Sequence, residues 1–188
     1  MADIEVTGHV DWVPVSLEVG AEDLVRQWGE RFGDSEQVAN SIAFMLGMRA
    51  SLLRANESAD DDQVLQLAGW VMTGEPDDLT RLSAYAVLRA FPAAFSFDEV
   101  DDLVAQIVGD DPVFAGPELE PMATQSGDAV SVAFRPFVDG EVHEHLMVLW
   151  ARPESGIWYQ LAAYQSDLLT SYRVRPSFEE LAAGIHGL

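Results

Sequence analysis

Three apolar segments joined by two tight turns constrain the fold of this chain more than any other feature. They are residues 129–138, 142–152 and 157–165. Asp139-Gly140 separates the first two and is a strong signal for a tight β-hairpin, and Pro153 to Gly156 makes the second turn. Along the third segment Trp158 alternates with Tyr159, so both faces of the strand carry bulky apolar side chains. Most of this surface should be core under helices, but a sheet apolar on both faces can also leave a groove for a partner or a ligand.

Helical spacing of apolar residues predicts one helix over 21–32, ended by Gly33, and a second from Asp34 or Ser35 to about Arg54. Two Ser-x-x-Glu capping boxes, at Ser96 and Ser177, predict the starts of two further helices. Additional strands are predicted at residues 9–17, 64–73, 79–91 and 119–124. Pro14 favours an edge strand or an irregular strand, because proline cannot donate a ladder hydrogen bond.

These elements predict a single α+β domain over residues 1–188, with a mostly antiparallel sheet of six or seven strands and flanking helices. The sheet–helix core is 63–188, ordered as two strands, a helix, a strand, a three-strand meander and a terminal helix. This order resembles the PsbP-like fold family, which includes the LpqN-type proteins of actinobacteria. The most similar segment runs from Asp139 to Tyr164, and helices 21–54 form an insertion. The resemblance implies a non-enzymatic binding scaffold.

The chain is strongly acidic, with 32 Asp and Glu residues against ten basic residues, all of them Arg, and a formal net charge of −22. A field of this sign repels phosphate backbones and anionic lipid headgroups, so we expect no nucleic-acid binding and no membrane-surface binding. Three interpretations of the acidity remain open. It is the solvated surface of a protein from a high-GC or salt-adapted organism, an acidic face that steers a basic partner, or a nucleic-acid mimic.

We predict a non-catalytic protein-interaction module, such as an adaptor, a chaperone or an immunity-like protein, with a basic protein as its partner. Acidic loops would steer that partner and an aromatic side chain would anchor it. The predicted partner-binding residues are Asp60, Asp61, Asp62, Asp110, Asp111 and Trp158. The alternative is a small-molecule binding protein or an enzyme, with a pocket between the sheet and the N-terminal helices.

Few residue patterns support catalysis or metal binding. The absence of cysteine excludes disulfides, thiolate catalysis and Cys-ligated metals. Glu141, His143 and His145 alternate along a strand, which would place possible Zn or Fe ligands on one face. Met147 and Leu149 continue that face, so we interpret the histidines as ordinary strand residues. The chain has no nucleophile elbow, phosphate loop or dinucleotide fingerprint. We therefore predict no catalytic residue, metal or cofactor.

Four of the ten arginines lie in the C-terminal half of the chain. They are Arg135, Arg152, Arg173 and Arg175. In so acidic a protein they are expected to form internal ion pairs, and a small-anion site is the alternative. The N-terminus is acidic and lacks the apolar segment of a signal peptide, and no apolar run reaches the 18 residues of a membrane span. We therefore expect a cytoplasmic protein.

Overall fold

The computed structural model describes residues 4–6, 11–59, 64–75, 78–109, 112–165 and 168–188. Its strands are β1 (Glu5–Val6), β2 (Trp12–Val15), β3 (Leu65–Glu75), β4 (Asp78–Pro92), β5 (Val113–Thr124), β6 (Gly127–Val138), β7 (Glu141–Val142), β8 (Glu144–Arg152), β9 (Ile157–Gln165) and β10 (Ile185–His186). Its α-helices are α1 (Ala21–Phe32), α2 (Glu36–Glu57), α3 (Val100–Val108) and α4 (Leu168–Ala183).

An antiparallel sheet organises these elements. Seven strands follow the order β2-β3-β4-β9-β8-β6-β5, and the short β7 pairs with β6. β1 and β10 form a separate two-stranded pair. Every pairing is antiparallel in the described part of the chain. The predicted α+β class and the mostly antiparallel sheet are confirmed.

The hairpin between β6 and β7 has the local geometry that its sequence predicts. Asp139 and Gly140 have φ angles of 53° and 86°, in the left-handed region that Asp and Gly tolerate best. Val138 and Glu141 pair directly across the turn. The chain then continues into β8, which pairs with β6 from Phe134↔His145 to Val130↔Leu149. The predicted meander is therefore present, with its second strand divided into β7 and β8.

Both faces of the sheet carry apolar side chains, and each face is covered by helices. On the first, which we call the α4 face, Phe178 and Leu181 of α4 pack against sheet residues such as Trp150. Trp12 donates from Nε1 to the Ser177 hydroxyl at 3.0 Å and to its carbonyl at 3.1 Å. The Trp12 ring also meets Phe178 edge-on, with centroids 6.4 Å apart. These contacts fix α4 to the edge strand β2.

On the opposite face, α1 and α2 cover strands β2 to β4. Leu24 and Trp28 of α1 are buried against this half of the sheet, as the helical spacing predicts. The Met48 side chain of α2 packs against the backbone of β3 at Gly69, where a Cβ would lie 2.8 Å from the Met48 methyl carbon. Arg49 donates to the carbonyls of Ser16, Leu17 and Val19 at 2.8–3.2 Å. It thereby fixes the loop between β2 and α1.

The other half of that face is covered by α3. Leu103 and Val104 pack there with strand residues that include Val132 and Leu149. The segment before α3 is fixed by the predicted capping box, in which the Ser96 amide and hydroxyl both donate to Glu99 Oε2 at 2.8 Å. These hydrogen bonds lower the pKa of the Glu99 carboxyl. A short 3-10 turn, Phe97–Glu99, leads into the helix.

The second predicted capping box is wrong. α4 already begins at Leu168, so Pro176 and Ser177 lie inside it. The Ser177 hydroxyl accepts from the Trp12 indole rather than capping a helix. Strand β5 also begins earlier than predicted, at Val113 instead of 119. Its first residues pair with β6 through two register shifts, an irregular pairing that alternation in the sequence does not reveal.

Candidate partner-binding surface

Strand β5 forms one edge of the sheet and, among the residues that the structure describes, pairs with β6 alone. Most of its side chains are exposed, and none of the twelve residues is fully buried. Pro117 and Pro121 remove two amide donors, which makes the edge a poor template for adding another strand. A partner at this edge would therefore be recognised mainly by side chains.

An exposed apolar cluster, here called the edge patch, lies at the N-terminal end of this strand. It is centred on the contact between Phe114 and Phe137, and the exposed Val113 and Val138 are their neighbours along the two strands. Phe114 is 64 % exposed and Phe137 is 41 % exposed. Their rings meet edge-on with centroids 6.0 Å apart, a preferred aromatic geometry. Exposed aromatic pairs of this kind are typical of protein-interaction sites.

The irregular start of β5 brings the two phenylalanines together. Val113 pairs with Pro136 and Ala115 with Arg135, so Phe114 has no pairing partner of its own. The Phe137 amide donates to the Pro112 carbonyl at 3.0 Å, which holds the end of β6 against the segment preceding β5. Apolar and polar residues do not alternate across this bulge, and the strand predicted from the sequence begins only at residue 119.

Carboxylates flank the edge patch on both strands. Asp139 and Glu141, at the β6–β7 turn, are exposed and follow Phe137 and Val138 directly. Glu118 and Glu120 are exposed further along β5. The surface therefore combines an apolar centre with an acidic rim, as polar rims commonly surround apolar interface centres.

A small cavity, here called the polar cavity, lies beside the edge patch along the same two strands. Its lining residues are Ala115, Gly116, Glu118, Ala133, Phe134, Arg135 and Glu144. Glu144 is only 3 % exposed. Arg135 donates to Glu144 Oε1 twice, from Nε at 3.1 Å and from Nη2 at 2.9 Å. The other oxygen, Oε2, is buried and has no hydrogen-bond partner among the described residues.

Next to the cavity, Arg175 of α4 lies among three carboxylates. Its guanidinium is 3.4 Å from Glu118, 3.6 Å from Glu120 and 3.2 Å from Glu179. Burial acts to lower the pKa of Arg175, but the hydrogen bond and charge of Glu179, with Glu118 and Glu120, outweigh it and raise the pKa. These ion pairs connect α4 to β5.

Two of the four arginines singled out in the sequence therefore form ion pairs: Arg135 and Arg175. Arg152 instead donates to the carbonyls of Leu188 at 3.2 Å and Ser126 at 2.7 Å. Arg173 is exposed.

Trp158, the predicted aromatic anchor, lies in the core. It is 1 % exposed, donates from Nε1 to the Phe95 carbonyl at 3.0 Å and stacks on Phe97. The prediction placed it correctly on one face of β9 but did not account for the segment before α3, which covers that face. Asp60, Asp61, Asp62, Asp110 and Asp111 lie outside the described residues.

The histidine-containing strand is also packed rather than open. The His145 ring lies between Phe134 and Tyr164, with centroid separations of 5.0 Å and 4.6 Å. Burial, and secondarily the nearby His143, lowers the pKa of His145. No three His, Asp or Glu residues within the described ranges are arranged to hold a metal ion.

Phe114, Phe137 and Glu144 are the residues of this surface that sequence reasoning missed. Phe114 follows Asp110-Asp111-Pro112 closely, so a search for aromatic residues beside acidic loops could have found it. Nothing in the sequence indicates that Glu144 is buried, because it stands between two histidines in a polar segment.

Comparison with known proteins adds a distant structural likeness. No protein-family model matches the chain, and no curated protein is similar to it in sequence. Among solved structures, the chain is similar to LpqN of Mycobacterium tuberculosis, described as involved in cell envelope biogenesis. The identity is 12 %, the TM-score is 0.44, and the match covers 72 % of this chain and 94 % of LpqN. The resemblance concerns the fold alone, and membership of the PsbP-like family stays a prediction.

None of the helices that the structure describes is long and apolar enough to cross a membrane.

Proposed function

We propose that this protein is a non-catalytic, acidic protein-interaction module, with the edge patch and its carboxylate rim as the surface that binds a basic protein. An adaptor, a chaperone and an immunity-like protein are all examples of such a module. The observation that carries the proposal is the exposed pair Phe114 and Phe137. The buried clusters contain ample apolar volume elsewhere, so this aromatic pair is not needed to complete the core.

Charge supports a basic partner. The chain carries a formal net charge of −22, and the exposed residues of the turn next to the patch, Asp139 and Glu141, are both acidic. A field of one sign around an apolar centre speeds the approach of an oppositely charged protein, and salt weakens that effect over about 8 Å at physiological ionic strength.

The packing between the N-terminal helices and the sheet favours a protein-interaction module over a small-molecule binding protein. In the described part of the chain the space between the helices and the sheet is filled by a packed cluster around Trp28, Met45 and Val71. The edge patch, in contrast, is open to solvent.

The experiment is affinity capture from lysate of the source organism, with mass spectrometry, at about 50 mM and about 500 mM salt. Wild type is compared with Phe114→Ala. Phe44→Ala is the matched control, because Phe44 is also a half-exposed phenylalanine but lies on α2, away from β5. We expect a basic protein that is captured by wild type and Phe44→Ala, but not by Phe114→Ala, and that is captured less at high salt.

Capture that is equal in all three variants, or that does not depend on salt, would contradict the proposal. Kinetic measurement with the purified partner sharpens the test. Asp139→Asn with Glu141→Gln should slow association more than it speeds dissociation, because these rim charges act on the approach. Asp101→Asn with Asp102→Asn on α3, which removes the same charge away from the patch, should have a smaller effect.

A further inference from the structure

Phe114 is the most exposed large apolar side chain in the part of the chain that the structure describes. It is 64 % exposed, compared with 48 % for Phe44 and 41 % for Phe137. It falls in the register shift between the first two pairings of β5 with β6, so no residue of β6 lies opposite it. Its ring contacts the Phe137 ring edge-on, with centroids 6.0 Å apart. The side chain is therefore supported by one neighbouring ring and exposed over most of its surface.

This support lowers the entropy that Phe114 would lose on binding. A phenylalanine side chain has only two torsion angles, and the contact with Phe137 restricts its ring before a partner arrives. A few aromatic side chains of this kind commonly supply most of the binding energy of an interface, because they fill well-packed and desolvated pockets on the other protein. The exposure and support of Phe114 therefore fit a side chain that inserts into a partner.

The cavity beside the edge patch is too small to receive a side chain from the partner. The polar cavity has room for about one water molecule. Its buried carboxylate, Glu144, is already paired with Arg135. Strand addition is disfavoured as well, because Pro117 and Pro121 remove donors from the edge. A close fit at the patch therefore requires the partner to supply the concave surface.

The charges next to Phe114 and Phe137 indicate what surrounds that concave surface. Asp139 and Glu141 are exposed in the turn that follows Phe137. Neither of them forms an ion pair with another residue in the described part of the chain. Both carboxylates are therefore available to lysine or arginine residues of the partner, in the polar rim that commonly surrounds an apolar interface centre.

We infer that Phe114 inserts into an apolar pocket of the partner, and that lysine or arginine residues of the partner line the rim of this pocket and face Asp139 and Glu141. Phe137 supports the Phe114 ring. This inference rests on the proposed function, because it assigns the roles of the two sides of that same interface. It specifies a partner with a pocket sized for a phenyl ring, rather than a flat basic surface.

The test is a series of side-chain sizes at residue 114. The probe is the basic protein that wild type captures, purified after mass spectrometry has identified it. Phe114→Leu should raise the dissociation constant about tenfold and Phe114→Ala about 100-fold or more, as for an interface side chain that fills a pocket. Phe114→Trp should also raise it about tenfold or more, because an indole is too large for a pocket fitted to a phenyl ring. A flat contact would bind Phe114→Trp at least as tightly as wild type, because an indole buries more apolar surface.

A matched control and a second measurement complete the design. Phe44→Leu and Phe44→Trp repeat the substitutions at a half-exposed phenylalanine on α2 and should leave the dissociation constant unchanged. The second measurement keeps the size of the side chain. With 4-fluorophenylalanine at residue 114, the 19F signal of the free protein should shift between H2O and D2O, because the ring is exposed. In the complex this solvent shift should disappear, because a pocket excludes water from the ring.

Two results would overturn the inference: binding of Phe114→Trp as tight as that of wild type, or a fluorine at residue 114 that keeps its solvent shift in the complex. Its failure is distinguishable from failure of the proposed function. A basic partner that is lost with Phe114→Ala but binds Phe114→Trp tightly would leave the edge patch supported and remove only the pocket. Equal capture by wild type and Phe114→Ala would contradict the proposed function itself.

Discussion

The two edge strands of the sheet, β2 and β5, differ in how far their side chains are covered by the rest of the protein. Both contain proline, which reduces the donors available to another strand. β2 has four residues, and three of them, Trp12, Val13 and Val15, are buried between helices on the two faces. β5 has twelve residues, is mostly exposed and carries Phe114 at its start. A strand whose side chains are buried on both faces contributes mainly to stability, whereas an exposed edge strand with aromatic residues offers side chains for binding.

The largest effect expected from this comparison is at β2. Trp12→Ala removes a buried indole, its hydrogen bonds to Ser177 and its ring contact with Phe178. We expect the free energy of unfolding to fall by about 3–5 kcal/mol, as for other buried tryptophans. Denaturant unfolding measures this. A loss below about 1 kcal/mol, a size typical of lost surface contacts, would show that β2 is not the structural edge.

Ser177→Ala tests how β2 is held to α4. We expect a loss of about 1–2 kcal/mol, because the Trp12 indole keeps only the Ser177 carbonyl as an acceptor. The contact has a specific signature in a double-mutant cycle. In a Trp12→Phe background the cost of Ser177→Ala should shrink, whereas the cost of a lost helix cap would be the same in both backgrounds.

Ser96→Ala tests how the start of α3 contributes to the half of the sheet that contains β5. Ser96 precedes α3, and this helix packs against β6 and β8. Loss of a serine at a helix start typically costs about 1 kcal/mol, and thermal unfolding measures it. Wild-type melting behaviour would mean that the hydroxyl contact with Glu99 contributes little.

The pH dependence of this effect has a definite sign. Hydrogen bonds from Ser96 lower the pKa of Glu99 in the folded state. The stability they contribute is therefore present above the ordinary pKa of a glutamate and is lost as the pH falls through the lowered pKa. The difference between wild type and Ser96→Ala should shrink in acid, and a difference that stays constant down to about pH 2 would exclude this mechanism.

The smallest effect on stability is expected at the other edge. Phe114→Ala should change the free energy of unfolding by less than about 0.5 kcal/mol, because the side chain is mostly exposed. The same denaturant experiment as for Trp12→Ala gives a direct contrast between the two edges. A loss of about 2 kcal/mol or more would mean that the edge patch contributes to the fold rather than to binding.

Elements defined by local signals could be predicted from the sequence. α1 has the predicted bounds, because Leu24 and Trp28 share one face of the helix and Gly33 ends it with a φ of 87°. The Asp139-Gly140 hairpin is another such case. Ser177 shows the limit of local signals. The same motif caps a helix at Ser96 but lies inside α4 at Ser177, where a residue 165 positions away, Trp12, binds the hydroxyl.

The candidate surface was predicted only in its general chemistry. The sequence predicted acidic loops at Asp60 to Asp62, Asp110 and Asp111 as the partner-binding surface, with Trp158 as the aromatic anchor. Alternation identifies which face a side chain occupies and not whether another segment covers that face. The alternation in β9 therefore does not show that Phe97 stacks on Trp158, which is buried and cannot anchor a partner. Phe114 lies outside the predicted strand 119–124, because Pro112, Gly116 and Pro117 obscure the longer strand that the pairing with β6 creates.

The pairing of β1 with β10 determines where a linker attached to either strand would lie relative to the edge patch. Glu5 pairs with His186, and Ser126 donates to the Ile185 carbonyl at 2.9 Å, so both of these strands lie by the turn between β5 and β6. Val113 and Phe114 are at the other end of β5, about 35 Å away for a strand of this length. A linker or a solid support attached through either of these strands would therefore lie at the opposite end of β5 from Phe114.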